Sequence, residues 1–357
     1  MGTPEVDFNL SKKNLAIIKK LVSLDTEYVD FYILSNKCLV LTETKGLEFA
    51  GLISLQREYE EIKFRISSQV LKQVDSEYTT MRIKIEVDSI CVELYFSDNM
   101  KPVKINVLNS RVSLRDIEAV SKLLLRKTIS ENNSFIDSIP SIIGVGNIVK
   151  GLNNRDLLIS NGIVFLDNPE YKFFSDLGCN NLNLIIPDII VKQLKYEVSS
   201  QDRDFLIESG MCRFRSGDFL YSWKLPRVMQ VQEYEIMKNM KPICRASVSF
   251  GKLLSFLGKL SVSKNRNQVL KLDFDRGIAL VEENGIMNYE IPFYSSVVMG
   301  ACPQAVSVDI KALQSVTKSI ESDAILVDIH QKFLSINSTV EVGDSGLLAT
   351  FLLRRIR

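Results

Sequence analysis

Lysine and arginine are the residues here whose spacing carries chemistry. They recur on short stretches of helical periodicity: Lys12, Lys13, Lys19 and Lys20 in KKNLAIIKKL, Lys72 in SSQVLKQVD, and Arg115, Lys122, Arg126 and Lys127 in RDIEAVSKLLLRK. Lys192 and Lys195 follow in IIVKQLKYEV, Lys252 and Lys259 in GKLLSFLGKL with Lys264 and Arg266 just beyond, and Lys311 and Lys318 in IKALQSVTKSI. Together the six helical stretches carry about seventeen basic residues against about seven acids, roughly +10. The whole chain carries only +1, so strands and loops are acidic by roughly −9. A face of fixed positive charge attracts a polyanion by releasing its counterions. The lysines lack the aromatic ladder that stacks single-stranded bases and the Asn, Gln and Arg clusters that read base edges. The implied contact is with a duplex phosphate backbone, without sequence preference.

Other chemistries find no footing. The six cysteines, Cys38, Cys91, Cys179, Cys212, Cys244 and Cys302, are scattered without a CxxC pair and read as buried reduced thiols. His330 is the single histidine and reads as a side chain on a sheet face, so no metal site is expected. P-loop, GxSxG and HExxH patterns are missing, and the carboxylates have no spacing that nominates an acid–base pair. The chain reads as a non-enzyme without cofactor. Gly144-Val145-Gly146 reads as part of a flexible loop. There is no apolar run of membrane-spanning length and no secretory leader, which places the protein in a cytoplasm.

The 357 residues exceed one average domain, and 46% hydrophobic with 24% charged residues describe a globular chain. The elements that must position the lysines are strand–helix units. In Ala305–Ile320 an alternating strand meets Asp309 at an N-cap position, and Ile310, Leu313, Val316, Thr317 and Ile320 then form one helical stripe. Ser11 caps the first helix, where Leu15, Ile18, Leu21 and Val22 oppose Lys12, Lys13, Ala16, Lys19, Lys20 and Ser23. Short strands follow each helix, with turns at Ser35-Asn36, Lys45-Gly46 and Asn161-Gly162. The outline strand, helix, about three strands, strand, helix, about three strands occurs three times, at about 119 residues per copy. Residues Thr128–Lys150 interrupt the second copy and read as an insertion or long loop. The boundaries fall at 1–109, 110–240 with that insertion, and 241–357.

This order of elements resembles the DNA sliding clamps, the polymerase processivity factors, over essentially the whole chain. The first third looks like phage-type clamps around FNLSKKNLAIIKKL and YILSNKCLVLTETKGLEFAGL. The last third is similar to the bacterial beta-type clamp around AVSVDIKALQSVTKSI, DAILVDIHQKFLSI and LLATFLLRRI. The resemblance implies an α+β fold of three repeated clamp domains, with helices on an inner face and antiparallel sheets outside. It implies a phage-encoded protein of the infected bacterial cell, whose two copies meet head to tail as a homodimer ring around double-stranded DNA. It also implies a partner-peptide pocket for a DNA polymerase and a clamp loader, matched here by Tyr171, Phe173, Met240, Pro242, Leu352, Leu353, Arg354 and Ile356. The tail carries leucines and an extra arginine where Met-Pro-Met-Arg is typical of the family. A second function drawn from the same elements is a clamp-fold interaction protein of a transcription or repair assembly that does not encircle DNA.

Overall fold

The computed structural model describes residues 5–24, 26–86, 89–96, 101–108, 124, 133–151, 156–167, 171–179, 181–197, 202–208, 210–225, 241–249, 251–253, 255, 268–283, 286–301, 305–317, 320, 324–331, 333–342 and 345–356. The chain divides into two compact units, one of residues 1–136 with 199–225 and one of 137–198 with 226–357. Every strand pairing is antiparallel among the described residues.

The first unit begins with strand Glu5–Asn9 and helix Lys12–Val22. The Ser11 hydroxyl accepts the Asn14 backbone N–H at 3.2 Å, satisfying one of the donors a helix start leaves open. Lys19 and Lys20 sit in the last turn, where the helix dipole favours cations. Leu15, Ile17, Ile18, Leu21 and Val22 are buried, so the apolar stripe is the predicted one widened by Ile17. That helix lies on strand Leu47–Ser67 at Gly51, where a built Cβ would stand 2.5 Å from Ile17 Cγ2. Only the absence of a side chain at Gly51 allows this approach.

Two sheets build the unit. One has the order Glu5–Asn9, Tyr78–Ile85, Ser89–Phe96, Val103–Leu108. The other has the order Arg203–Glu208, Met211–Ser216, Phe219–Lys224, Leu47–Ser67, Tyr28–Thr44. The separate short strands expected between Val29 and Ile66 run on as two long ones, with register slips at Ser35, whose φ is +56°. Lys45 and Gly46 both take positive φ between the paired Thr44 and Leu47, as a two-residue hairpin turn requires. The second sheet joins distant segments, with Phe219 opposite Gly51 and Trp223 opposite Leu47. Beneath it, Phe135 stacks on Phe205 at 4.0 Å, and Phe214, Tyr221 and Trp223 extend the aromatic core. Leu124, the one described residue of 109–127, is helical and buried in the cluster with Tyr32, Leu39, Leu41 and Leu220.

In the second unit one sheet runs Leu184–Ile186, Leu157–Ser160, Ile163–Asp167, Tyr171–Asp176, Ser345–Ile356, Ala305–Asp309, Gln268–Asp273, Ile278–Glu283, Ile286–Val298, Cys244–Ser249, Ala324–Ile329, Phe333–Val342. The last of these also pairs with Ser345–Ile356. Asn161 and Gly162, at φ +51° and +79°, form the expected turn between Ser160 and Ile163.

Two expectations are corrected. The stretch Thr128–Lys150, read as an insertion or long loop, is no loop over residues 133–150, which lie in helix Asn133–Gly151 together with Gly144-Val145-Gly146. Its Ser, Asn and Gly content hid the recurrence of Ile139, Ile142, Val145 and Ile148, all buried at helical spacing. Gly146 is small for a reason, since a Cβ there would overlap Val191 Cγ1 of helix Asp188–Glu197. Nor are all the cysteines thiols: Cys38, Cys91, Cys179 and Cys212 are free, whereas Cys244 is disulfide-bonded. Cys302 lies outside the described residues.

Gly51→Ala is expected to lower stability by about 1–3 kcal/mol, the usual cost of forcing a methyl group into a packed contact. Urea denaturation of the variant beside the parent chain checks this.

Candidate nucleic-acid interface

The structure describes the side chains of eight of the proposed contacts: Lys12, Lys13, Lys19, Lys20, Lys72, Lys192, Lys195 and Lys252. Lys311 lies on helix Ile310–Thr317, whose Leu313 and Val316 are buried as the stripe predicts. Arg115, Lys122, Arg126, Lys127, Lys259, Lys264, Arg266 and Lys318 lie outside the described residues.

These eight are not equivalent. Lys12 and Lys19 are exposed on the first helix, Lys72 follows the short helix Ser68–Leu71, and Lys252 is exposed beside the buried Leu253. All four lack an ion-pair partner among the described residues. Lys13 is held by Asp218 at 2.5 Å. Lys192 pairs with Asp188 one turn earlier at 2.5 Å, and Lys195 donates to the Asn147 side-chain oxygen. Lys20 is half-buried, with its ammonium 4.0 Å from the Phe219 ring centroid and 5.2 Å from that of Tyr221. Burial lowers its pKa to about 8, so the aromatic faces offset only part of the lost hydration.

Helical spacing places Lys12, Lys13, Lys19 and Lys20 on one face. Packing divides that face into two edges. Lys13, Ile17 and Lys20 line the edge over strand Phe219–Lys224 and its turn, while Lys12, Ala16 and Lys19 line an exposed edge. Asp218 and Phe219 escaped the sequence reading, which had only the SGDF turn to mark them.

The chemistry of the four-stranded sheet is different. Across the four-stranded sheet Asp7 stands opposite Arg82, Arg82 opposite Glu93, and Glu93 opposite Lys104. Arg82 bonds Asp7 at 2.7 Å, and Lys104 meets Glu93 at 2.7 Å. Lys104, the Tyr95 hydroxyl and Lys84 hold the buried Glu93 carboxyl down to about 2. Charges on this sheet are consumed in pairs.

In the second unit, strand pairing brings together part of the proposed peptide pocket. Tyr171 stands opposite Leu353, and Phe173 opposite Phe351, whose ring lies 5.1 Å from that of Phe173. Tyr171, Phe173 and Leu353 are buried, so they can underlie a pocket but not form its open surface. Leu352 and Pro242 are half-buried. Arg354 and Ile356 lie on the last strand, opposite Phe333 and Ser307. Met240 lies outside the described residues. His330 is buried, stacked on Phe333 at 4.5 Å and within 3.4 Å of the Ser335 hydroxyl. Burial lowers its pKa.

No protein-family model and no curated protein sequence matches the chain. Solved structures do. The DNA polymerase sliding clamp of Pseudomonas aeruginosa superposes with a TM-score of 0.67 at 11% identity, covering 99% of each chain. The DNA polymerase III subunit beta of Borrelia burgdorferi gives 0.66 at 13%, covering 99% of this chain and 98% of that one. The beta subunit from the DNA polymerase of Streptococcus pyogenes gives 0.65 at 11%, covering 99% and 100%. At such identities the likeness is one of fold. The chain has the α+β sliding-clamp fold over its whole length.

Lys20 makes a pH-dependent prediction. Its folded pKa of about 8 lies below the ordinary lysine value near 10.4, so between these limits the unfolded chain binds more protons. Stability of the parent should therefore rise from pH about 8 to about 10 relative to Lys20→Met. Parallel urea titrations across that window, with no difference in slope, would refute it.

Proposed function

We propose that this chain is a DNA sliding clamp, a homodimer that encircles duplex DNA without sequence preference and tethers a DNA polymerase. The observation that carries the reading is the clamp fold over the full length, combined with lysines exposed on its helices. Three clamp domains, at 1–109, 110–240 and 241–357, would each contribute a pair of helices. Lys12, Lys19, Lys72 and Lys252 have the character such a lining needs. Their charge is uncommitted among the described residues, on long flexible stems that meet phosphates loosely. Loose attraction lets a ring slide, and topology supplies the residence time. The role requires no catalysis.

Sheet edges support closure by two copies. Val103–Leu108 ends its sheet, and Ile286–Pro292 pairs on one side alone, among the described residues. The alternating charges Asp7, Arg82, Glu93 and Lys104 end on an exposed lysine at the first of these edges. A strand added there from a second copy would satisfy the open backbone groups, and an acid opposite Lys104 would continue the alternation. The polymerase and clamp loader would dock short peptides around Leu352 and Pro242, over the buried Tyr171, Phe173 and Leu353. A phage-infected bacterial cytoplasm is the setting proposed for this work.

One observation favours the second reading, a clamp-fold subunit of a transcription or repair assembly. Lys13, Lys192 and Lys195 already have polar partners, so the field offered to DNA is weaker than the lysine count implies.

A ring should stay on nicked circular DNA and run off the same DNA once linearised. Equal retention on both would reject sliding, and a monomer mass by light scattering at micromolar concentration would favour the second reading. Charge reversal at Lys12, Lys19, Lys122 and Arg126 should weaken DNA association and leave the dimer mass unchanged.

A further inference from the structure

We infer that Asp218 and Phe219 withdraw two of the four lysines of the first helix from DNA, leaving Lys12 and Lys19 as its phosphate contacts. Resting on the DNA-contact reading, the inference divides a lysine cluster into two classes by what each side chain already touches.

The geometry begins with Gly51. Phe219 is its register partner on the neighbouring strand, and Ile17 rests on Gly51 itself. The first helix therefore lies over the seam where Phe219–Lys224 joins Leu47–Ser67. Residues four before and three after Ile17 share its side of the helix. Those residues are Lys13 and Lys20, and both turn toward the same hairpin.

Asp218 is a fixed counter-charge. Gly217, at φ +55°, makes the tight turn between Ser216 and Phe219, and its N–H donates to the Asp202 carbonyl at 2.8 Å. The Asp218 carbonyl accepts the Leu52 N–H at 3.0 Å, which pins the turn to the neighbouring strand. Its carboxylate then meets the Lys13 ammonium. A phosphate approaching Lys13 must displace or face this carboxylate, so the lysine adds little attraction. The pair faces solvent and adds little to stability, which makes its effect chiefly electrostatic.

Lys20 is withdrawn in another way. Its stem and ammonium cover Phe219 and Tyr221, and the half-buried head is less available to a phosphate than the exposed Lys19 beside it. Packing is its task. A methionine of similar length can do the same work, and an alanine cannot.

The test is the salt dependence of binding to a short DNA duplex, followed by fluorescence anisotropy, with melting temperatures measured alongside. Each phosphate neutralised contributes about 0.9 to the slope of log K against log salt. Lys19→Ala should flatten the slope by about that amount, whereas Lys13→Ala and Lys20→Met should leave it unchanged. Asp218→Ala should steepen it by about 0.9, because it frees Lys13. Lys20→Ala should lower the melting temperature by about 3 °C, and Lys20→Met should not. A slope flattened by Lys13→Ala as much as by Lys19→Ala, or unchanged by Asp218→Ala, would overturn the inference. Loose contacts register on a short duplex at low salt and high protein concentration, and if the parent chain binds none even there, the DNA-contact reading fails on its own. The packing role is then decided by melting, and equal melting temperatures for Lys20→Ala and Lys20→Met would reject it.

Discussion

Ile17 resting on Gly51 is the contact on which the organisation of the first unit turns. A helix normally stands off a sheet by the thickness of both sets of side chains. At Gly51 one set is missing, so the first helix drops toward the strand and its rotation is fixed. From that rotation follow the burial of Leu15, Ile18 and Leu21, the reach of Lys13 to Asp218, and the position of Lys20 over Phe219. The exposure of Lys12 and Lys19 is what remains. A steric fact at one glycine thus sorts charges several residues away.

The same economy separates the faces of the fold. On the four-stranded sheet, acids and bases stand opposite each other strand by strand, and Glu93 is so well satisfied that its carboxyl stays ionised down to about pH 2. Similar pairs of Arg65 with Asp30 and Arg245 with Asp328 recur on other sheets. Such pairs cancel at a distance and present little net field. Helix Lys12–Val22 carries four lysines and no acid, so its charge is not cancelled from within. A near-neutral protein can in this way offer a polyanion a local positive surface.

Much of this was legible in the sequence, and the part that was not has a physical reason. Periodicity gave the first helix because its apolar residues repeat cleanly at three and four, and the turns at Lys45-Gly46 and Asn161-Gly162 announced themselves through residues that accept positive φ. Helix Asn133–Gly151 was missed because Gly144, Gly146 and Pro140 are poor helix formers, and its stability comes from buried isoleucines and a close approach to Val191. The lysine face was found but not its division, since a helical wheel knows nothing of neighbours distant in sequence. Asp218 and Phe219 reach the first helix only because strand Phe219–Lys224 pairs with Leu47–Ser67. The proposed peptide pocket shows the same limit. The resemblance to sliding clamps points to Tyr171, Phe173 and Leu353, but only the folded strands reveal that they are interior.

The pairing of Phe219–Lys224 with Leu47–Ser67 also has a consequence in time. A ribosome delivers the first strand long before its neighbour, and at 5–20 residues per second the delay is on the order of ten seconds. Throughout that interval the edge at Leu47–Gly51 has open backbone groups, and the surface meant for Phe219 and Tyr221 is bare. The final strand, Ser345–Ile356, imposes a similar wait on Tyr171–Asp176. Nascent chains are thus most vulnerable to mispairing with one another while half-made, and a cell producing this protein quickly would lean on its chaperones at that stage.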